Sequence, residues 1–369
     1  MSEEAMNRKP IIAILTMDDE KEYFRGNRVN FAETIAAGKE MGYTVYILTI
    51  KDLKLSQKRV VGYNYMQETN VWQQEWFPLP HVIYNRIPLR EDEMQPAVRR
   101  KIQDVLSHSS IKIFNPYYFN KWHLFEWLKK SPSTKKYIPK TQRLRTSSGL
   151  GKMLKKHAYL YLKPEAGKAG VGIMTLRMNP AKSLKYRLKV QDKKGSISYK
   201  AAKIQKLWTR IRKEAGVNSY IVQQGITLAT MNKRPFDLRL LAQKNGKGQW
   251  DVTGIGARVA GISSITTHVP RGGSIEDPEK ILTTIFGTEQ ARSIMAKARA
   301  AAVVIAKQVE RGSGHTLGEM SMDLGVDTTG GIWFFEANAK PMKFDEPHIR
   351  RRSLERIFQY CSYLSRMSG

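Results

Sequence analysis

The chain of 369 residues carries 62 Lys and Arg against 33 Asp and Glu, a formal net charge of +29, with 41% of its residues in the hydrophobic set. That is enough apolar material for a sizeable core and two to three domains, and the positive excess points to anionic partners rather than to any particular fold. The lone cysteine, Cys361, excludes an intramolecular disulfide and a thiolate metal cage.

The N-terminal stretch MSEEAMNRKP lacks the apolar core of a signal peptide. The apolar run Ile11 to Leu15 is far too short for a membrane span, so the expectation is a soluble, cytoplasmic protein. Pro10 to Thr16 reads as a buried strand. FAETIAAGKEMG then has apolar residues at helical spacing, with Gly42 as its stop. YTVYILTI, His81 to Pro88 and Ser110 to Pro116 read as further strands. Strands alternating with helical stretches predict an α/β unit with a parallel sheet over residues 1–115.

Lys121 to Lys130 reads as an amphipathic helix, broken by Pro132 and Pro139. Strands follow at Ala158 to Pro164 and Gly172 to Met178. Between Ala181 and Glu214, twelve basic residues face only Asp192 and Glu214. Such a run is either a solvated helix face or a basic lid over an anionic ligand. From Ser219 the chain is strand-rich (YIVQQGI, FDLRLLAQ, WDVTGIGARVA). A helical segment runs from Pro278 to about Glu310, and two strands joined by the hairpin turn Thr328 to Gly331 follow. No internal repeat is evident.

Four groups of residues carry chemistry. Lys163, followed by Gly167, Gly170 and Gly172, suits phosphate: glycines let backbone N–H groups converge on an anion, and the lysine adds a compact charge. It reads equally well as a glycine-rich turn beside a surface lysine. Asp323 on one strand, with Glu336 and Asn338 two apart on the next, would offer two carboxylates and an amide oxygen to Mg²⁺ or Mn²⁺. Phe335 and Ala337 would then face the core. Asp237 and Arg239 share a strand face, with Arg258 on the next strand. They fit an internal ion pair or the binding of an oxyanion. The strand ending in Gln223, Gln224, Gly225 and Ile226 could read an adenine edge through its backbone. The seven histidines show no HExxH spacing, and Met153 stands where a P-loop needs Ser or Thr, so a zinc hydrolase and a Walker A site are set aside.

In this order the motifs resemble the ATP-grasp superfamily. Lys121 in FNKWHLFEWL resembles its first nucleotide lysine, and YIPKTQRL its connection into the lid. Lys163 with its glycines resembles the second lysine and phosphate loop, and YIVQQGI the adenine-reading hinge. FDLRLL, Arg258 and VPRGG resemble the core of amino-acid ligases, and Asp323, Glu336 and Asn338 the metal set. GEMSMDLG, WFFEANAKP and RPFDLR look like the YheC/YheD-like, endospore coat-associated branch. The resemblance spans about Asn115 to Pro347. It implies an α+β fold with a pre-ATP-grasp domain (1–115), a lid subdomain (116–218) and a C-terminal core subdomain (219–369).

It further implies an ATP- and Mg²⁺-dependent ligase that joins a carboxylate to an amine through an acyl phosphate. Lys121 and Lys163 would sit on the phosphates, and Arg239 and Arg258 on the transferring group. The acceptor would be an amino acid, a peptide, or an acidic protein or polymer, and the location the cytoplasm or forming spore coat. Thr266, Thr267 and His268 replace an expected Asn, which leaves a third catalytic contact open. The rival readings are a basic polyanion- or nucleic-acid-binding protein with a vestigial nucleotide site, and an ATP-dependent kinase.

Overall fold

The computed structural model describes residues 9–165, 172–191, 196–261 and 273–367. Three sheets organise it. The first contains β1 (Ile12–Thr16), β2 (Val45–Thr49), β3 (Arg59–Met66), β4 (Val71–Pro78), β5 (Val82–Asn85) and β6 (Lys112–Phe114), in the order β4-β3-β2-β1-β5-β6. β2, β1, β5 and β6 run parallel, as their continuous apolar runs predict, because both faces are covered. The hairpin β3–β4 adds two antiparallel strands at the β2 edge, which the apolar runs did not signal. Among the intervening helices are α1 (Arg28–Glu40), capped by the Asn27 side chain, and α2 (Pro96–Leu106).

The second sheet contains β7 (Thr141–Arg143), β8 (Tyr159–Pro164), β9 (Met174–Met178), β10 (Tyr186–Gln191), β11 (Ser196–Ala201) and β12 (Tyr220–Gln224), in the order β11-β10-β9-β8-β12-β7. It runs past residue 218, because β12 pairs antiparallel with β8. α3 (Lys121–Lys129) precedes this sheet, and α4 (Ser147–His157) and α5 (Ile204–Ala215) lie within its sequence span. The basic run from Ala181 is thus a strand pair plus a helix. α5 buries Leu207, Ile211 and Ala215 and turns its Lys and Arg outward.

The third sheet is antiparallel, with β13 (Arg234–Lys244), β14 (Trp250–Val259), β15 (Ser274–Glu276), β16 (Glu319–Val326) and β17 (Ile332–Asn338) in the order β15-β14-β13-β16-β17. The single helical segment expected after Pro278 is two helices, α6 (Pro278–Phe286) and α7 (Thr288–Ser313), divided at Gly287. One face of the sheet packs on α7, whose Ala298, Ala301, Ala302 and Ala306 are fully buried, and on Leu124, Phe125 and Leu128 of α3. The other face carries the charged residues described below.

The last helix, α8 (Pro347–Arg366), returns to the first sheet. Phe358, Tyr360 and Cys361 join Ile14, Phe31 and Ile35 in one core cluster. Gly38 makes this possible, since a Cβ there would stand 2.7 Å from the Phe358 ring. Buried polar contacts lock the first sheet to the third. Asn115, at φ +53°, accepts from Gly318 N (2.8 Å) and donates to the Glu319 and Ala339 carbonyls. Asparagine is among the few side chains that tolerate that backbone. Lys340 reaches Glu93 and Asn85 across the same seam. Among the described residues no helix is long and apolar enough to cross a membrane.

Candidate functional site

The site starts from a hairpin turn. Asp327 accepts from Thr329 N (2.9 Å), Gly331 N (2.8 Å) and, through its other oxygen, Trp333 Nε1 (2.7 Å), while Gly330 takes φ +80°. That fixes the β16–β17 register, with Asp323 opposite Glu336 and Ser321 opposite Asn338. The pairing of Asp323 with Glu336 follows the sequence expectation. The expectation for Phe335 does not hold. A bulge between Asp323 and Leu324 places Phe334, fully buried, beside Ala337 in the core. Phe335 is turned to the charged face, where its ring lies over Gly325 and 5.4 Å from the Lys163 ammonium.

The charged face is an ion web. Arg258 donates through Nε and Nη2 to the two oxygens of Asp237 (2.9 and 2.8 Å), and its Nη2 also reaches Asp323 Oδ2 at 2.8 Å. Arg239 Nη1 stands 3.6 Å from Asp323 Oδ1, an oxygen that is buried without a hydrogen-bond partner. Lys121, at the first turn of α3, holds Glu336 Oε1 at 2.6 Å. Burial opposes ionisation of Asp323, but Arg258 and Arg239 overcome it and hold the carboxyl below its usual range. Burial likewise disfavours the Arg258 charge, and Asp323 and Asp237 more than offset that, raising its pKa.

Across from this web stands Lys163 at the end of β8. Its ammonium donates to Gln223 Oε1 (2.7 Å), and Gln223 Nε2 donates to Thr141 Oγ1 (3.1 Å). Burial lowers the Lys163 pKa to about 8. Lys121 adds to the drop, while Glu336 and Asp323 oppose it. Lys163 therefore shares one electrostatic environment with Lys121, Asp323 and Glu336, although it belongs to a different sheet. Beyond it, Gln224 N donates to the Lys140 carbonyl (2.8 Å) and Gly225 N to the Tyr159 carbonyl (2.8 Å). The Tyr159 ring fills the space a Cβ on Gly225 would need. Gln224, Gly225 and Ile226, at the end of β12 and the start of the link to the third sheet, are half-buried. Gly172 sits at φ +72°, its carbonyl accepting from Tyr220 Oη at 2.9 Å. Gly167, Gly170, Thr266, Thr267, His268 and most of VPRGG lie outside the described residues.

The predicted metal set fits a hard cation. Asp323 keeps one buried oxygen open, Glu336 is part-exposed on the same face, and Asn338 follows two residues later. No group of three or more His, Cys, Asp or Glu among the described residues could hold a metal alone. Two acids and an amide suit an ion that completes its shell with water and phosphate oxygens. The sequence did not signal the neighbouring cavity of about 220 Å³, lined by Arg239, Arg258, Phe344 and Glu346 among others. The Arg239 guanidinium lies 5.7 Å from the Phe344 ring centre, and the Glu346 carboxylate sits where a side chain on Gly256 would stand. Only Gly254 and Gly256, bare positions on β14, hinted at this close approach.

A family model described as YheC/D-like ATP-grasp matches residues 110–364. The chain is 27% identical over 349 residues to the endospore coat-associated protein YheD of Bacillus subtilis (strain 168), covering 93% of this chain and 75% of that protein. Among solved structures, it resembles the VanG D-Ala:D-Ser ligase of Enterococcus faecalis at 12% identity and TM-score 0.54, over 97% of this chain and all of that one. It also resembles the ATP-grasp ligase PsnB, complexed with minimal precursor, Mg and ADP, at 12% identity and TM-score 0.50, over 96% of this chain and 98% of that one. At these identities the likeness to solved structures is one of fold.

Proposed function

The chain belongs to the YheC/D-like ATP-grasp family, and from that premise we propose that it is an ATP-dependent carboxylate–amine ligase. The observation that carries the reading is the convergence of Lys163, from the second sheet, with Lys121, Asp323 and Glu336 around the third. Two cations facing two acids form a site for a triphosphate and its divalent ion. The ligase names of the structural neighbours point to the same chemistry.

In this reading Lys121 and Lys163 neutralise phosphate charge, and the Phe335 ring and the Gln223–Ile226 segment hold the base. Asp323, Glu336 and Asn338 would hold Mg²⁺, which when bound neutralises charge on the phosphates. Arg239 and Arg258 face the adjoining cavity and orient the substrate carboxylate. One carboxylate oxygen attacks the γ-phosphorus as the bond to the β-phosphate oxygen breaks, leaving ADP and an acyl phosphate. An amine then attacks the acyl carbon, phosphate departs, and the nitrogen loses a proton. Positioning and electrostatics carry the catalysis, so no side-chain nucleophile is required. An acidic peptide, protein or polymer as the acceptor, and a place at the spore coat like that of the named relative, complete the proposal.

The test is a phosphate-release screen of amino acids and short acidic peptides with Mg-ATP, followed by mass spectrometry of the products. Amine-dependent turnover, lost in K163M, is expected. Phosphoryl transfer without any amine requirement would make the protein a kinase and overturn the proposal.

A further inference from the structure

A second cavity, of about 480 Å³, lies away from the web just described. It is bounded by α3, the segment Lys135–Gln142 and α4, and none of Lys121, Lys163, Asp323 or Glu336 lines it. Its rim carries Lys129, Lys135, Lys140, Lys152, Lys156 and His157 against a single acid, Glu126. All five lysines are exposed. Glu126 is already engaged by Lys129 at 3.8 Å, and among the described residues no ion pair is found for Lys135, Lys140, Lys152 or Lys156. Like charges gathered in one concavity repel one another. His157 registers this: burial, and then Lys156 and Lys140, lower its pKa. The arrangement costs the free protein stability and gains most when a polyanion enters.

The lining also separates the classes of polyanion. Grooves for single-stranded nucleic acid combine positive charge with exposed aromatic rings on which bases stack. Here the apolar floor is Phe125, which is buried, with Ile138, Pro139 and Met153. No arginine lines the cavity, so the bidentate forks that favour phosphate are absent from its lining. Lysines around an apolar floor with no exposed ring suit an extended chain of carboxylates whose methylene stems lie on that floor. Lys140 and Thr141 are among the lining residues, and Thr141 is hydrogen-bonded through Gln223 to Lys163. Within the sheet a single strand, β12, separates β7 at the groove from β8, which carries Lys163.

We propose that this groove is a docking site for an acidic polypeptide, a run of Glu or Asp side chains, separate from the nucleotide cleft. The site does not depend on the ligase reading, because binding is measured without turnover. The experiment is fluorescence anisotropy of a labelled oligoglutamate peptide with the full chain, at low and at physiological salt. Three proteins are compared: the natural chain, the groove variant K140E/K152E/K156E, and K206E/R212E/K213E on the exposed face of α5. Both variants change net charge equally. The expected result is binding that weakens with salt and falls about tenfold or more in the groove variant, with little loss in the α5 variant. Equal loss in both variants would assign the effect to overall charge and overturn the site. Absence of binding by the natural chain would also overturn it. So would a single-stranded oligonucleotide that displaces the peptide at lower concentration, since the groove would then be one for nucleic acid. Circular dichroism of each variant confirms that the fold is retained.

Discussion

With Lys163 on the triphosphate, as proposed, nucleotide binding would be tied to proton binding. The Lys163 pKa stands at about 8 instead of the usual 10.5, because burial between Gln223, Tyr161 and Phe335 removes water from the ammonium. A folded-state value below the unfolded one penalises the folded, ligand-free protein at neutral pH. The penalty is released as pH rises from about 8 to 10.5. A triphosphate beside the ammonium reverses the balance and restores the proton. If the bound value returns to the ordinary one, about 0.9 proton is taken up per nucleotide at pH 9 and only about 0.1 at pH 7. The dissociation constant should then rise about tenfold between pH 7 and pH 9, a change of about 1.4 kcal/mol. Calorimetric titration of Mg-ATP at pH 9, in two buffers of different ionisation enthalpy, reads the uptake directly. In K163M both the uptake and the slope should vanish. Equal uptake in K163M and the natural chain, or an affinity flat across this range, would refute the placement of Lys163 on the triphosphate.

Other outcomes follow from the same geometry. E336Q and D323N should each raise the Mg²⁺ concentration needed for half-maximal turnover by about tenfold or more, measured by coupled ADP release. Nucleotide binding without Mg²⁺ should persist in E336Q, because the substitution removes a negative charge that stands 2.6 Å from Lys121. K340M strands the buried Glu93 carboxylate and should lower stability by about 3–5 kcal/mol in urea titrations, and the double variant K340M/E93L should recover most of that loss. Cys361 is fully buried, and burial raises its thiol pKa. It should resist an aromatic disulfide reagent in the native protein and react at once in denaturant.

How much of this was legible depended on whether one residue's pattern or a relation between residues carried the signal. Ile12–Thr16 and Val45–Thr49 are buried at every position, so an apolar run was enough to find them. The β3–β4 hairpin was missed because β4, VWQQEWFP, shows neither a run nor a clean alternation, and only Phe77 is buried. The register of Asp323 and Glu336 was legible because the Asp327–Gly331 turn is short and carries its own chemistry. The bulge beside it was not, because an extra residue in one strand alters no composition and no local propensity, yet it exchanges Phe335 for Phe334 in the core.

The ion web is the clearest case of a relation that strand parity cannot supply. Parity placed Asp237 with Arg239 on one strand face and Glu336 with Asn338 on another but could not say how the charges divide. Asp237 takes Nε and Nη2 of Arg258, and the same Nη2 also reaches Asp323. Arg239 stops at 3.6 Å. Asp323 is therefore held ionised by two guanidiniums while one of its oxygens stays buried and without a hydrogen bond. An unsatisfied buried carboxylate oxygen is costly in an isolated protein. A divalent ion held by Asp323 and Glu336, as proposed above, would give that oxygen the partner it lacks.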